Sequence, residues 1–144
     1  REKGKVFVLL SGDMNHMKDI NDRFGHLAGD EAICRMGRAL QIVTQKGLIP
    51  VHISGDEFLA YGMADSYSQA ESIIPLVNEE LNRINREDPW LCDISASLGV
   101  YAGIPKDDDN IDSFMTQADR AMYADKNKFK YGRRKEDFKR DQIQ

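Results

Sequence analysis

Asp56 and Glu57 are the residues whose type and placement first point to chemistry: two adjacent carboxylates directly after Ser54-Gly55, inside the run Val-His-Ile-Ser-Gly-Asp-Glu-Phe over positions 51–58. Ser-Gly is a turn signal. The apolar or β-prone residues at 49–53 and 58–61 fit a hairpin with the acids at or just past its tip. Two carboxylates on such a tip repel each other unless a cation lies between them. Mg²⁺ suits the arrangement, because it takes one or two carboxylates together with substrate phosphates rather than a closed protein cage. Acidic pairs beside turns are also common as solvated surface, so the metal reading rests on a second stretch.

That stretch lies at the start of the chain. Residues 5–10, Lys-Val-Phe-Val-Leu-Leu, form a continuous apolar run rich in β-formers, which predicts a central strand covered on both faces. It runs out at Ser11-Gly12-Asp13, and a polar segment follows to Asp22. Gly25 and Gly29 mark a loop or tight bend before Asp30, which read alone is a candidate helix cap. Over residues 31–45, Ala32, Met36, Leu40 and Val43 recur with the period of an amphipathic helix, closed by Gly47.

The hairpin comes next, and Ala64-Asp65-Ser66 opens a further helix stepping through Ile73, Val77, Leu81 and Ile84. Pro75 is expected to kink or divide it. After Asp88-Pro89, residues 93–101 alternate, with Ile94, Ala96, Leu98 and Val100 on one face and Ser95, Ser97, Gly99 and Tyr101 on the other, predicting a half-buried strand. The acidic run at 107–109 reads as a solvated connection. Residues 111–128 make a last helix with Phe114, Ala118, Ala121 and Met122 on one face and Lys126 and Lys128 in its final turn, where cations suit the helix dipole. The order β, α, α, β, β, α, β, α implies an α+β fold: a ferredoxin-like, polymerase-palm mixed sheet with a central hairpin and flanking helices.

The 144 residues are one domain's worth of chain, enough to bury roughly 68–70% of the unfolded surface around a single core. Hydrophobic residues at 41% and charged residues at 31% fit a soluble globular protein. No run approaches the ~20 apolar residues of a membrane span, and no signal peptide is visible. The chain opens on Arg rather than Met and is expected to be a piece of a longer protein. Cys34 and Cys92, alone and widely spaced, imply neither a disulfide framework nor a zinc site, which fits a reducing cytoplasm. A net charge of −4 argues against a nucleic-acid partner but not against a nucleotide, whose few charges need only local cations.

Four stretches, in order, resemble the diguanylate cyclase, or GGDEF, domain. Positions 13–22, Asp-Met-Asn-His-Met-Lys-Asp-Ile-Asn-Asp, are similar to the family's Asp-x-Asp/Asn-x-Phe/Leu/Met-Lys-x-Ile-Asn-Asp segment. Phe24-Gly25-His26 through Gly29-Asp30-Glu31 resembles its Gly-His-x-x-Gly-Asp-Glu segment, and Ser54 to Phe58 resembles the signature itself. Ser97-Leu98-Gly99 with Ala118-Asp119-Arg120-Ala121-Met122-Tyr123-x-x-Lys126 resembles the closing strand and helix. The resemblance covers residues 1–132 and leaves 133–144 as a charged tail. It implies a nucleotide cyclase-like fold in which two GTP, each held by one domain of a homodimer, condense to cyclic di-GMP with release of pyrophosphate.

The resemblance also implies roles. Asp13, the Met14 backbone, Asp56 and Glu57 match the metal site for Mg²⁺ or Mn²⁺, with Asp56 and Glu57 as the catalytic acids and Glu57 either adding to the metal site or accepting the hydroxyl proton. Asn21 and Asp30 match the guanine-reading positions, and Lys18, Lys126 and Lys130 match phosphate-binding ones. Backbone N–H groups around Met14 to Met17 are further candidates to cradle phosphates. Fusion to a sensory or other domain is implied as well.

Departures stand beside these matches. Ser54 replaces the signature's first glycine, His52 stands where the family often has Arg, and Phe129 where it has Gly. The family's inhibitory product site, Arg-x-x-Asp, here reads Gln45-Lys46-Gly47-Leu48. The alternative to an active cyclase is therefore a catalytically weak or inactive GTP-binding regulatory module.

Overall fold

The computed structural model describes residues 5–105 and 110–127. Four strands, β1 (Val6–Met14), β2 (Leu48–Ser54), β3 (Glu57–Ala64) and β4 (Ala96–Gly103), form one sheet in the order β2-β3-β1-β4. Between β1 and β2 run the helices α1 (Met17–Phe24) and α2 (His26–Leu40) and a 3-10 helix over Gln41–Lys46. Between β3 and β4 run α3 (Tyr67–Glu71) and α4 (Ile73–Glu87), and α5 (Ile111–Asn127) follows β4. The two β-helix-β passages interleave as split βαβ units, which is the ferredoxin-like arrangement.

The sheet was expected to be mixed; all three described pairings are antiparallel. Each helical crossover skips one strand position, so the strand it returns to is parallel to its start but separated from it by an antiparallel neighbour. The hairpin is central in the chain but lateral in space: β2 is an edge strand, where Pro50, lacking an N–H, is tolerated.

β1 runs four residues past the expected end at Leu10. Ser11 and Gly12 do not break it because both are paired on both sides, Ser11 with Leu59 and Gly99, Gly12 with Phe58 and Leu98. Alternation along β1 then divides the molecule into two layers. Val6, Val8, Leu10 and Met14 pack with Ala32, Met36, Val77 and Leu81 of α2 and α4, while Phe7 and Leu9 pack with Phe114 and Ala118 of α5. Asp13 shares the α5 face.

The helix expected over 31–45 starts earlier, at His26, and its last turn tightens into the 3-10 segment. Gly47, at φ 81°, closes it as expected. Asp30 is therefore inside a helix rather than capping one. Ser66 caps α3 by accepting from the Gln69 N–H, and the division between α3 and α4 falls at Ser72, which leaves Pro75 in the first turn of α4, where its missing N–H costs little. The strand expected to be half-buried is covered on both sides at Ser97 and Gly99, because α5 lies across the face read as exposed. That approach needs glycine: a Cβ on Gly99 would lie 2.1 Å from the Met122 nitrogen. Residues 106–109 and 128–144, with Phe129, Lys130 and the charged tail, lie outside the described residues.

Candidate active site

Because β1 and β3 are neighbours, the acid near the end of the first strand meets the acids of the hairpin. Asp13 is the register partner of Glu57, and the Met14 N–H donates to the Asp56 carbonyl at 2.9 Å. The hairpin turns through Gly55 at φ 48° and Asp56, the glycine-first pattern of tight hairpins. Asp56 is thereby held at the tip with its carboxyl against Asp13. Burial, and then the charge of Asp13, hold that carboxyl above its ordinary pKa.

The third member of the group comes from α5. Lys126 Nζ lies 2.5 Å from Asp13 Oδ2, joining residues 113 positions apart. The helix that carries Lys126 is placed by three contacts: Gly99 admits its backbone, Ser11 Oγ donates to Asp119 at 2.5 Å, and the Leu98 N–H of edge strand β4 donates to Asp125 at 2.9 Å. One demand remains unmet. Asp13 Oδ1 is buried and has no hydrogen-bond donor among the described residues. A buried carboxylate oxygen without a partner, beside a second carboxylate, is an arrangement that a hard divalent cation relieves. Among the described residues no group of three or more His, Cys, Asp or Glu could hold a metal by itself, so a cation here would draw its remaining oxygens from substrate and water.

A buried polar lattice fixes the loop leaving β1. Asn15 accepts from Ser97 Oγ at 2.8 Å and donates to Ser95 Oγ at 3.2 Å, and its N–H donates to the Ser95 carbonyl at 2.9 Å. His16 then takes a left-handed conformation, φ 64°, the one such non-glycine among the described residues, and α1 starts at the next residue without a side-chain cap. A strained residue between a buried anchor and an uncapped helix start is common at ligand-binding turns. The N–H groups of Met14 and Asn15 are already spent on Asp56 and Ser95, so the part of the proposed cradle left to the backbone begins later in the turn.

Asn21 and Asp30 are brought to one place by the elbow between α1 and α2. Gly25, at φ 89°, makes the bend, and its N–H donates to the Asn21 carbonyl at 2.9 Å. Asn21 then faces Gly29, the neighbour of Asp30. Asn21 is about 6 Å along α1 from its start at Met17. Lys18 is not brought to the acidic pair: its exposed ammonium is held by Asp22 at 2.8 Å. Glu57 opens β3 as an exposed residue, and Lys130 lies outside the described residues.

The departures from the family pattern have local explanations. Ser54 is in an extended strand and is not among the residues with positive φ, so its backbone does not need glycine. His52 Nε2 donates to the Gly55 carbonyl at 2.8 Å while its ring stacks on Phe58 at 4.6 Å, so it braces the hairpin tip. Leu48, at the position of the inhibitory site's acid, is 2% exposed in the core. Sequence reading missed Asn15, whose type gave no sign of burial, and it placed Ser95 and Ser97 on an open face. Asp119 was named only as part of a motif, and Asp125 fell on one of that motif's unspecified positions.

The family described as "Diguanylate cyclase, GGDEF domain" matches residues 1–131. The chain is 32% identical over 115 residues to diguanylate cyclase DgcP of Escherichia coli, a match spanning 79% of this chain and 33% of that protein. It is 28% identical over 128 residues to diguanylate cyclase VdcA of Vibrio cholerae, spanning 86% of this chain and 37% of that one. The chain thus spans about a third of the length of these curated relatives. Among solved structures, a sensory box/GGDEF family protein from Caulobacter crescentus is similar at a TM-score of 0.68 and 28% identity, with 86% of this chain and 80% of that one covered. The GGDEF domain of YfiN (TpbB) from Pseudomonas aeruginosa is similar at 0.75 and 25%, covering 86% and 78%. No helix among the described residues is long and apolar enough to cross a membrane. With the family match running over nearly the whole chain, this chain belongs to the GGDEF diguanylate cyclase domain family.

Proposed function

We propose that the chain condenses two GTP into cyclic di-GMP, each domain of a homodimer presenting one GTP to the other. The observation that carries this reading is the Asp13–Asp56 pair, with one buried carboxylate oxygen lacking a donor among the described residues and the Lys126 ammonium on the other oxygen of Asp13. In each half-reaction a ribose 3′-oxygen bonds to the α-phosphorus of the facing GTP, the bond from that phosphorus to pyrophosphate breaks, and the 3′-hydroxyl proton passes to a base. Asp13, Asp56 and the Met14 backbone would hold Mg²⁺ or Mn²⁺, which supplies charge neutralisation at the phosphates. Glu57, exposed at the start of β3, either joins those ligands or takes the proton.

Lys126, once its carboxylate partner is shared with a cation, is free to meet a phosphate oxygen. Lys18 and Lys130 are assigned to phosphate as well, Lys18 after leaving Asp22. Asp30 and Asn21 read the guanine edge, the carboxylate accepting from N1–H and the 2-amino group. Conversion of both GTP requires two domains face to face, so turnover belongs to the dimer and the longer protein supplies the signal that brings the domains together.

His52 favours a second reading. Its imidazole is engaged within the hairpin, so the site has one fixed cation fewer than an Arg would provide, and a GTP-binding module of low turnover would look the same. The two are separated by fusing the chain to a dimeric coiled coil and assaying GTP with Mg²⁺ for cyclic di-GMP. Product that vanishes in Asp56→Ala supports the cyclase. Saturable GTP binding without product in the dimerised form supports the module, and absence of GTP binding overturns both.

A further inference from the structure

In the elbow between α1 and α2, a Cβ built on Gly29 would lie 2.0 Å from Asn21 Oδ1 and 3.0 Å from its Cγ. The carboxamide of Asn21 occupies the space that a side chain at position 29 would fill. Gly29 is buried and helical, with an ordinary negative φ, so neither turn geometry nor left-handed backbone calls for glycine there. Gly37, on the same helix, has nothing within 4 Å of its missing Cβ. Glycine inside a helix is unfavourable relative to alanine, so its presence at 29 needs a reason, and the seated amide is the reason on view. The side chains of Asn21 and Asp30 make no hydrogen bond with the described residues, so neither is committed to another partner among them.

We infer that Gly29 is a specificity-determining position: a notch that seats the Asn21 carboxamide beside Asp30, so that the two read the 2-amino edge of guanine as one rigid unit. This rests on the guanine-reading assignment proposed above. Without the notch Asn21 has an easy alternative. Its amide is the far end of a flexible side chain and swings into solvent, so a methyl group at 29 displaces the reader while the helix survives.

The test uses the full 144-residue chain, non-reacting α,β-methylene GTP and its inosine counterpart, which lacks the 2-amino group, with affinity measured by calorimetry and folding by thermal melting. Gly29→Ala is expected to fold and melt at or above the wild-type temperature, as the control Gly37→Ala does. Its affinity for the guanosine analogue falls about tenfold or more, the scale of losing a hydrogen-bonded contact, while the inosine analogue changes by less than about threefold. In an Asn21→Ala background the same substitution costs nothing further, because the reader is already gone.

A Gly29→Ala protein that binds both analogues as wild type does overturns the notch, and so does an equal loss with and without Asn21. If Gly29→Ala melts early instead, the Asn21→Ala/Gly29→Ala double variant should regain stability; failure to regain it also counts against the notch. The guanine reading fails separately if Asn21→Ala and Asp30→Ala leave affinity and the guanosine-to-inosine ratio unchanged.

Discussion

Asp13 and Asp56 are held together by backbone pairing whether or not a cation is present, so the site opposes the fold's own stability. Asp56→Asn removes one charge while keeping shape, and in EDTA its melting temperature should exceed wild type by roughly 1–3 °C, a modest gain because the part-exposed pair is screened by water. The sign with pH follows from the raised carboxyl of Asp56. A folded-state pKa above the unfolded value contributes stability that is complete below the unfolded pKa and lost as pH rises through the folded one. Wild-type protein in EDTA should therefore lose stability on going from acid toward neutral pH relative to Asp56→Asn, as melting curves across that range would report. A melting temperature for Asp56→Asn at or below wild type throughout would refute the repulsion. At this scale the acids were legible because type and spacing announce them. The Asn15 lattice was not, because a polar side chain shows its burial only once the pairing of β1 with β4 is known to bring Ser95 and Ser97 against it.

The closing helix α5 is the element that turns a pair of acids into a charged site, and it does so through contact with β4 at Gly99. Gly99→Ala would set a methyl carbon against helix backbone, which cannot swing aside as a side chain can. Overpacking of this kind costs about 1–3 kcal/mol, to be read from urea denaturation. Because the displaced helix carries Lys126 off Asp13, nucleotide affinity should fall as well; wild-type stability and affinity in Gly99→Ala would show that the helix is not pressed on the strand. Elements existed where the apolar period placed them: β1, the hairpin, α4 and α5 all follow from spacing. What spacing could not give was where β1 stops, since Ser11 and Gly12 are kept extended by neighbours far along the chain, or which face of β4 is open, since alternation of serine and leucine cannot register a helix laid across the serines.

At the scale of the molecule, the proposed condensation would give one domain half of a two-substrate reaction. Specific activity of the isolated chain should rise with protein concentration and become independent of it once a coiled coil enforces pairing; activity per domain that is flat from the outset in the unfused chain would contradict the two-half-site scheme. Product should not feed back through the surface at positions 45–48, where the residue at the acid's position is the buried Leu48. Titrating cyclic di-GMP into Asp56→Ala protein should give no tight binding at all, and a tight isotherm there would reveal a product site elsewhere.

The placement of β1 at the middle of the sheet has a consequence for synthesis. This strand is made first, yet its partners on either side, β3 and β4, are translated some 50 and 90 residues later. While the chain emerges from the ribosome, β1 carries open hydrogen-bonding edges and Asp13 stays in water, because Lys126 has not been made. Ribosome-bound fragments ending before α5 should thus engage chaperones and retain no nucleotide, and binding should appear only with the last turn of that helix.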